Sequence, residues 1–562
     1  MRTLFLYNEV ESVGLQYLST ALRQAGHETA LVLDPKLFNF FRHEYNSRLL
    51  RRIFSFERDV MNRVREYAPD VVGFQMLTAN YEWCCKYAQQ IKEMNPSTII
   101  VAGGYHATAS AKNVLETGLV DYVIRGEAED SLVELVNSIE EGKADHSIQN
   151  LAYLDADGQC VENPLRPYEA DLDRFGRADV ELFRQLGPPF EVAHMSEWHR
   201  GCPWGCTFCG NNTYRKMYFG DRKDYMYTKD FLRSRTVDDV LAELSWVKKT
   251  FNPPIMRVND DDICANQAWL EELAEKMTEK ERIPFKAFAI PNNLNETTVP
   301  LLKKVGCQQI QMGVQSLNPE IRKLIGRPNS DKQIAQAIDL CKQHGIGLYV
   351  DQIFGLPGET EADCAKIESF YAEHPPDVVS IYWLDIWAGA DILQQAVDAG
   401  TITQETADFI SRQSGTEPEY GCISTERQWT TDFARPYARR IEIRNHFGPR
   451  TARFLIATGL WHVVDRLYLS RWIRFFNAIR YGFAPEKGFP PAKKGYDISW
   501  ARFPRFVFHF MGLRIRSWFS LKTQLPLIIR PPIEATAEKD GKESAAQAHP
   551  DKEPAPAMGS LA

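Results

Sequence analysis

The chain has 562 residues, 44% of them hydrophobic and 25% charged, with a formal net charge of −8 at pH 7. That length predicts about three or four domains with real cores, and no run approaches the ~18–20 uncharged apolar residues of a spanning helix. The 11 cysteines form no paired framework and the first residues run straight into a strand pattern, so a reduced, cytoplasmic protein is expected rather than a disulfide-stapled secreted one.

Residues 1–142 alternate short apolar runs with helical patterns. Strands are predicted at 3–7, 29–33, 70–75, 98–102 and 122–124. The helix at 14–24 puts Leu15, Leu18 and Leu22 on one face and stops at Gly26. Further helices are predicted near 57–67, 80–94, 109–117 and 130–140. This alternation argues an α/β unit with a doubly wound parallel sheet, which binds ligands beyond the carboxyl ends of its strands. Those ends carry Gly73-Phe74-Gln75, Gly103-Gly104-Tyr105-His106-Ala107-Thr108 and Arg125-Gly126-Glu127-Ala128-Glu129. The paired glycines let backbone approach a flat or phosphate-bearing ligand, although they also fit a flavodoxin-like domain with structural glycines. Residues 143–195 read as a connector, with a small hairpin around Asp157-Gly158 and then a passage punctuated by Pro164, Pro167, Pro188 and Pro189.

Next comes Arg200-Gly201-Cys202-Pro203-Trp204-Gly205-Cys206-Thr207-Phe208-Cys209. Cys202, Cys206 and Cys209 have the spacing C-x3-C-x2-C. Three thiolates in one loop can hold three irons of a 4Fe–4S cluster and leave the fourth open to a chelating small molecule. Zinc would want a fourth Cys or His at regular spacing, and His199 precedes the loop without a paired partner. From 196 to 390 strands and helices alternate again. Three strand ends carry Asp260-Asp261-Asp262, Gly313-Val314-Gln315-Ser316 and Gly355-Leu356-Pro357-Gly358-Glu359-Thr360, and Gly326-Arg327-Pro328 lies between the last two.

In this order and spacing the motifs resemble the cobalamin-binding radical S-adenosylmethionine (SAM) superfamily, over roughly residues 1–390. The resemblance implies a partial (β/α)6 barrel after the N-terminal Rossmann-like domain, with function at the carboxyl ends of its strands. It makes Cys202, Cys206 and Cys209 the cluster ligands, and Phe208 the aromatic residue before the last of them. SAM then falls to Asp260, Asp261 and Asp262 near its amine, Gln315 and Ser316 near its ribose, Arg327 near its carboxylate, and Gly355 and Pro357 beside adenine. Gln315 replaces the family's Glu, so it can hydrogen-bond but brings no charge. Cobalamin falls to Gly73, Gln75, Gly103, Gly104, His106, Thr108, Gly126 and Glu127. The Asp-x-His-x-x-Gly motif of other cobalamin proteins is missing, so no histidine is expected on the lower face of cobalt. His106 is expected as a loop hydrogen-bonding residue.

The implied reaction begins with electron transfer from the cluster, which cleaves SAM to methionine and a 5′-deoxyadenosyl radical. The radical removes a substrate hydrogen, and a methyl group passes from cobalt to an unactivated carbon. An electron donor such as flavodoxin or ferredoxin is implied as partner. Two rivals stay open: an oxidative cyclase of the magnesium-protoporphyrin monomethyl ester type, and a non-catalytic cobalamin or redox sensor. Cys84, Cys85 and Cys160 do not supply the second three-cysteine cluster of a methylthiotransferase.

Residues 391–530 predict a basic, aromatic-rich, mostly helical region. From Arg435 to Arg530 there are 19 Lys/Arg against 4 Asp/Glu, a local +15 that leaves −23 for the rest, and asymmetry of this size reports a partner surface. Residues 453–483 read as one long helix. Residues 502–530 combine Phe506-Val507-Phe508, Phe510-Met511 and the aliphatic run 525–529 with several arginines. Such segments either lie on an anionic membrane surface or pack on the barrel. Nucleic acid would not call for the aliphatic runs. The expectation is therefore a hydrophobic or lipid-like substrate met at the inner face of the membrane, with no nucleic acid partner. Residues 531–562 lack aromatics and read as a disordered tail.

Overall fold

The computed structural model describes residues 1–38, 47–220, 231–327, 329–412, 423–424, 433–467, 498–520 and 523–533. Strands β1 (Arg2–Tyr7), β2 (Glu28–Leu33), β3 (Val71–Gln75), β4 (Ile99–Gly103) and β5 (Tyr122–Ile124) form a parallel sheet in the order 2-1-3-4-5. Leu4, Phe5 and Leu6 are all buried although they alternate between faces, because helices cover both sides. The order reverses between β1 and β3, and the crevice beyond that switch point is where such sheets bind ligands. The hairpin β6 (Leu151–Leu154) and β7 (Cys160–Glu162) continues this sheet antiparallel beyond β5, so part of the expected connector belongs to it. The helix expected at 109–117 is two short ones, Tyr105–Ala109 and Ala111–Leu115. They are parted at Ser110, whose φ of −137° leaves helical space.

The second sheet begins with β8 (Ala193–Ser196), inside the segment read as connector. The short β9 (His199–Arg200) pairs antiparallel with β10 (Arg233–Ser234), flanking the cysteine loop. Then β11 (Ile255–Val258), β12 (Phe285–Ala289), β13 (Cys307–Gln315), β14 (Gly347–Phe354) and β15 (Val378–Trp383) line up in chain order after β8, all parallel. The result is a partial barrel with helices outside. On β12, Phe285, Ala287 and Ala289 join the helix-covered core, while Lys286 and Phe288 take the inner face. A short ribbon, β16 (Asp385–Ile386) with β17 (Ile423–Ser424), follows.

The C-terminal region corrects the sequence reading. Strand β18 (Ile528–Arg530) pairs antiparallel with the edge strand β2, and Leu525 and Ile528 are buried there. Helix Ile498–Trp518 sinks Phe506, Phe510 and Leu513 into the same core as β1 to β5. Each such side chain gains about 1.5–3 kcal/mol from burial, so these residues are core. Arg502 pairs with Glu11 at 2.6 Å, Arg514 with Asp59 at 2.7 Å and Arg530 with Asp179 at 2.9 Å. Part of the basic segment's partner surface is thus the chain's own N-terminal domain.

The long helix expected at 453–483 is broken. Helices Pro449–Ala457 and Trp461–Arg466 are separated at Gly459, where φ is +73°, and 468–483 lies outside the described residues. Of the expected tail, 531–533 is described and Ile533 N–H bonds the Arg23 carbonyl at 3.0 Å. The remainder lies outside the described residues. Among those described, no helix is long and apolar enough to cross a membrane.

Candidate functional site

The cysteine loop leaves β9 and ends in helix Gly210–Phe219. Two glycines make its path possible. Gly201 has φ +82°, and a Cβ there would collide with the Phe231 carbonyl. Gly326 has φ +72°, and a Cβ there would collide with the Gly205 carbonyl. The Thr207 N–H donates to the Ile325 carbonyl at 3.2 Å, and the Ile392 N–H donates to the Thr207 carbonyl at 2.9 Å. The loop is thereby held between two later segments. Burial pushes the Cys202 thiol up and the Cys209 thiol up to about 12, and each also feels Cys206 and Asp261. The three thiols therefore lie near enough to influence one another's charge. That arrangement suits a cluster, whose positive irons would favour the thiolates.

The structure separates the three aspartates. Asp260 is buried and accepts from the Trp198 N–H at 2.8 Å, the His199 N–H at 3.0 Å and His199 Nδ1 at 2.7 Å. It braces the entry to the cysteine loop. Asp262 accepts from Asn293 Nδ2 at 2.7 Å and Trp204 Nε1 at 3.3 Å. Asp261 lines the large cavity described below. Burial raises the carboxyl of Asp261 to about 7 and that of Asp262 to about 6.

Across the barrel mouth, Gln315 has φ +69° at a register shift between β13 and β14. Non-glycine residues hold this conformation at a cost of about 1–3 kcal/mol, and they gather at functional sites. The Gln315 carbonyl accepts from Gln352 Nε2 at 2.6 Å. Arg327 lies 5.9 Å from the Phe208 ring centre, and a Cβ on Gly313 would stand 3.0 Å from its Nη2. Gly355, φ +78°, donates its N–H to Glu359 Oε2 at 2.7 Å, and Pro357 is buried beside it. Burial raises Glu359 to about 8. Gln315 Oε1, Arg327 Nε and Glu359 Oε1 are buried without a hydrogen-bond partner among the described residues. Ser316 instead accepts from the N–H of Asn318 at 3.2 Å, and Asn318 caps the next helix.

At the other end, Gly73 packs on the Phe5 ring, 3.1 Å from the position of a Cβ. Gly104, φ +89°, lies against the Met76 carbonyl at the same distance. With Gln75, Gly103, Gly126 and Glu127 they line a cavity of about 750 Å³ that extends to Asn259 and Asp261 of the barrel. His106 and Thr108 are not in its wall. His106 is fully buried, 3.3 Å from Thr78 Oγ1 and tilted against the Tyr81 ring, and burial lowers it to about 4. Thr108 accepts the Gly126 N–H at 3.2 Å.

Sequence reasoning missed the bonds between the domains. Glu127 pairs with Arg233 at 2.7 Å and Glu129 with Arg200 at 2.7 Å. The Tyr105 hydroxyl donates to the Ala388 carbonyl at 2.8 Å. Arg200 and Tyr105 both sit inside motifs visible in the sequence, but no local signal names a partner so far along the chain.

The B12 binding domain family matches residues 4–136, and the Radical SAM superfamily matches residues 196–370. An uncharacterized methyltransferase of Pyrococcus horikoshii, PH0819, is 26% identical over 54% of this chain and 64% of its own length. The anaerobic magnesium-protoporphyrin IX monomethyl ester cyclase of Rubrivivax gelatinosus is 24% identical over 71% of this chain and 70% of its own. The chain thus spans about two thirds of the length of these relatives. The structure of TsrM, a radical SAM methyltransferase from Kitasatospora setae, superposes with TM-score 0.54 at 18% identity, covering 71% of this chain and 77% of that one, and so shares the fold. With a B12 binding domain joined to a radical SAM domain, the chain is an enzyme of the cobalamin-binding radical SAM superfamily.

Proposed function

We propose that the enzyme transfers a methyl group to an unactivated carbon. One observation carries the reading. A single cavity joins the glycine-lined ends of the N-terminal sheet to Asp261 beside the cysteine loop. A methyl donor and a hydrogen-abstracting centre must reach the same substrate atom, and a shared cavity supplies that proximity.

In this reading Cys202, Cys206 and Cys209 ligate the cluster. Asp261, Asp262, Gln315, Arg327 with Phe208, and the turn of Gly355 and Pro357 receive SAM. Gly73, Gln75, Gly103, Gly104, Gly126 and Glu127 face cobalamin, while Asp260, Ser316, His106 and Thr108 support them from behind. When bound, cluster and SAM supply a hydrogen-abstracting radical and cobalamin supplies the methyl group. The chain's part is to orient and shield. The free Gln315 Oε1 accepts a hydrogen bond, the free Arg327 Nε–H donates one, and the packed loop keeps water from the reacting centre.

Radical SAM enzymes need an electron donor, and a flavodoxin or ferredoxin is proposed here. The hydrophobic or lipid-like acceptor expected from the run 525–529 loses that argument, since Leu525 and Ile528 are core. A basis for membrane contact remains in exposed Phe454, Val463 and Leu467 beside the exposed Arg453 and Arg466, and in exposed Trp518 and Phe519 beside the exposed Arg516. Salt-sensitive flotation with anionic liposomes tests it.

The reaction itself is tested by anaerobic incubation of reconstituted full-length protein with methyl-labelled SAM, reductant and cell extract. A carbon-methylated, labelled product is expected. An unlabelled oxidised product would instead favour the cyclase chemistry of the Rubrivivax gelatinosus relative, and failure to cleave SAM would favour a sensor.

A further inference from the structure

The cysteine loop is gripped at both ends by the domain that carries the glycine-lined strand ends. At its entry, the ribbon of β9 and β10 sets Arg200 directly opposite Arg233. Like charges so placed repel, yet each is matched by a carboxylate of the other domain. Arg200 meets Glu129 at 2.7 Å, and its guanidinium lies 4.8 Å from the Tyr17 ring centre. Arg233 takes both oxygens of Glu127, at 2.7 and 3.0 Å, a fork that fixes orientation as well as distance.

At the exit of the loop, Gly210 follows Cys209 and lies so close to Tyr105 that a Cβ would stand 2.7 Å from the ring. The helix that Gly210 opens returns Tyr218 to Gly126, where the position of a Cβ is 3.1 Å from the Tyr218 hydroxyl. Residues 126–129 thus touch both flanks of the loop, the entry through Glu127 and Glu129 and the exit through Gly126.

Depth makes these contacts stiff. Glu129 and Arg233 are each 7% exposed. A surface ion pair is worth little, but breaking a buried one is costly, because the group left behind keeps its charge without a partner. Gly126, Glu127, Ala128 and Glu129 also line the shared cavity. The same short segment therefore borders the space for cobalamin and holds the frame of the three thiols.

We infer that Arg200 and Arg233, with Glu129 and Glu127, are positioning residues. They fix the spacing between cobalamin and the iron–sulfur cluster by locking residues 126–129 to the ribbon that brackets the cysteine loop. Chemistry shared between two cofactors depends on that spacing, since a misplacement of about 1 Å can cost about a hundredfold in rate. The inference goes beyond the methyl transfer proposed above and rests only on the two cofactors.

The test uses full-length protein, anaerobically reconstituted with cluster and cobalamin and then reduced. Pulsed electron paramagnetic resonance reads the distance between cob(II)alamin and the reduced cluster, and the wild type should give one narrow distance. Glu129→Gln alters the contact from the cobalamin side and leaves the cysteine loop's own residues intact. It should keep the cluster absorbance, weaken cobalamin binding roughly tenfold, the loss of a charge-assisted hydrogen bond, and broaden the distance at saturating cobalamin. Arg200→Met should do the same. The double variant should be no worse than the more damaged single one, because both remove one contact. Arg233→Lys keeps the charge and loses the fork, so it should fall between wild type and Arg233→Met.

An unchanged, narrow distance in E129Q overturns the inference, since the pairs would then serve stability alone. Additive losses of cobalamin affinity in the double variant overturn it too, since Arg200 would then touch cobalamin itself. Loss of the cluster from E129Q would mean that the contact merely holds the loop folded, and that also overturns it. None of these readings needs a substrate. If the labelled-SAM incubation yields no methylated product, the methyltransferase reading fails by itself and the distance measurement still decides this one.

Discussion

The two ends of the cavity are built on opposite plans. Around the cysteine loop, two carboxylates are held within the barrel: Asp260 by His199 and Asp262 by Asn293. The glycine-lined end instead sends its carboxylates outward, Glu127 to Arg233 and Glu129 to Arg200. One end is braced by its own domain, and the other is held in place by its neighbour. The contrast teaches that the distance between the two halves is set at the glycine end, by ion pairs that cross the boundary.

The largest effect should come from the self-contained end. Cys202→Ala, Cys206→Ala and Cys209→Ala should each abolish 4Fe–4S absorbance and SAM cleavage, because two thiolates hold such a cluster poorly. A fully active single variant would remove the basis of the comparison. Gly326→Ala should come next. Its Cβ would strike the Gly205 carbonyl in left-handed backbone, so it should cost on the order of 3 kcal/mol in urea unfolding and impair cluster retention.

Glu129→Gln probes the other end. Its partner Arg200 is half-buried and keeps Glu197, so a loss of about 1–3 kcal/mol is expected. Cobalamin binding should weaken while cluster absorbance persists. Equal damage to both cofactors would erase the distinction between the ends.

The smallest effect at neutral pH is that of His106, which acts only in acid. His106 is buried and lowered to about 4 from 6.5. Between those values the unfolded chain takes up a proton that the folded one refuses, so stability falls as pH drops from about 6.5 toward 4, by up to ~1.4 kcal/mol per pH unit from this group. His106→Gln should flatten that part of the stability curve and leave the spectrum of bound cobalamin unchanged. A changed cobalt spectrum would place His106 in the cavity wall after all.

What was legible in the sequence was local. Strands β1 to β5 announce themselves by apolar runs with turn residues between them, and the cysteine loop by its spacing. Interactions across the chain were not. The run 525–529 looks the same in sequence whether it meets lipid or an edge strand, because burial on one face needs only an apolar pattern. Asp260, Asp261 and Asp262 are chemically identical, yet one braces backbone and another faces the cavity, a difference set by where β11 ends. Gly459 hid in a helical pattern because its positive φ leaves no trace in the apolar periodicity around it.

Strand β18 has a consequence for how the molecule is made. The ribosome releases β2 long before Ile528, the partner of Leu31. At ~5–20 residues per second the interval is roughly 25–100 s. Throughout it, the β2 edge and the pocket for Phe506 and Phe510 lack their final cover. An open strand edge is a template for a neighbouring chain. The sheet of β1 to β5 is thus closed only after the whole barrel has been made, and nascent chains crowded on one message would be the moment of greatest risk of cross-pairing.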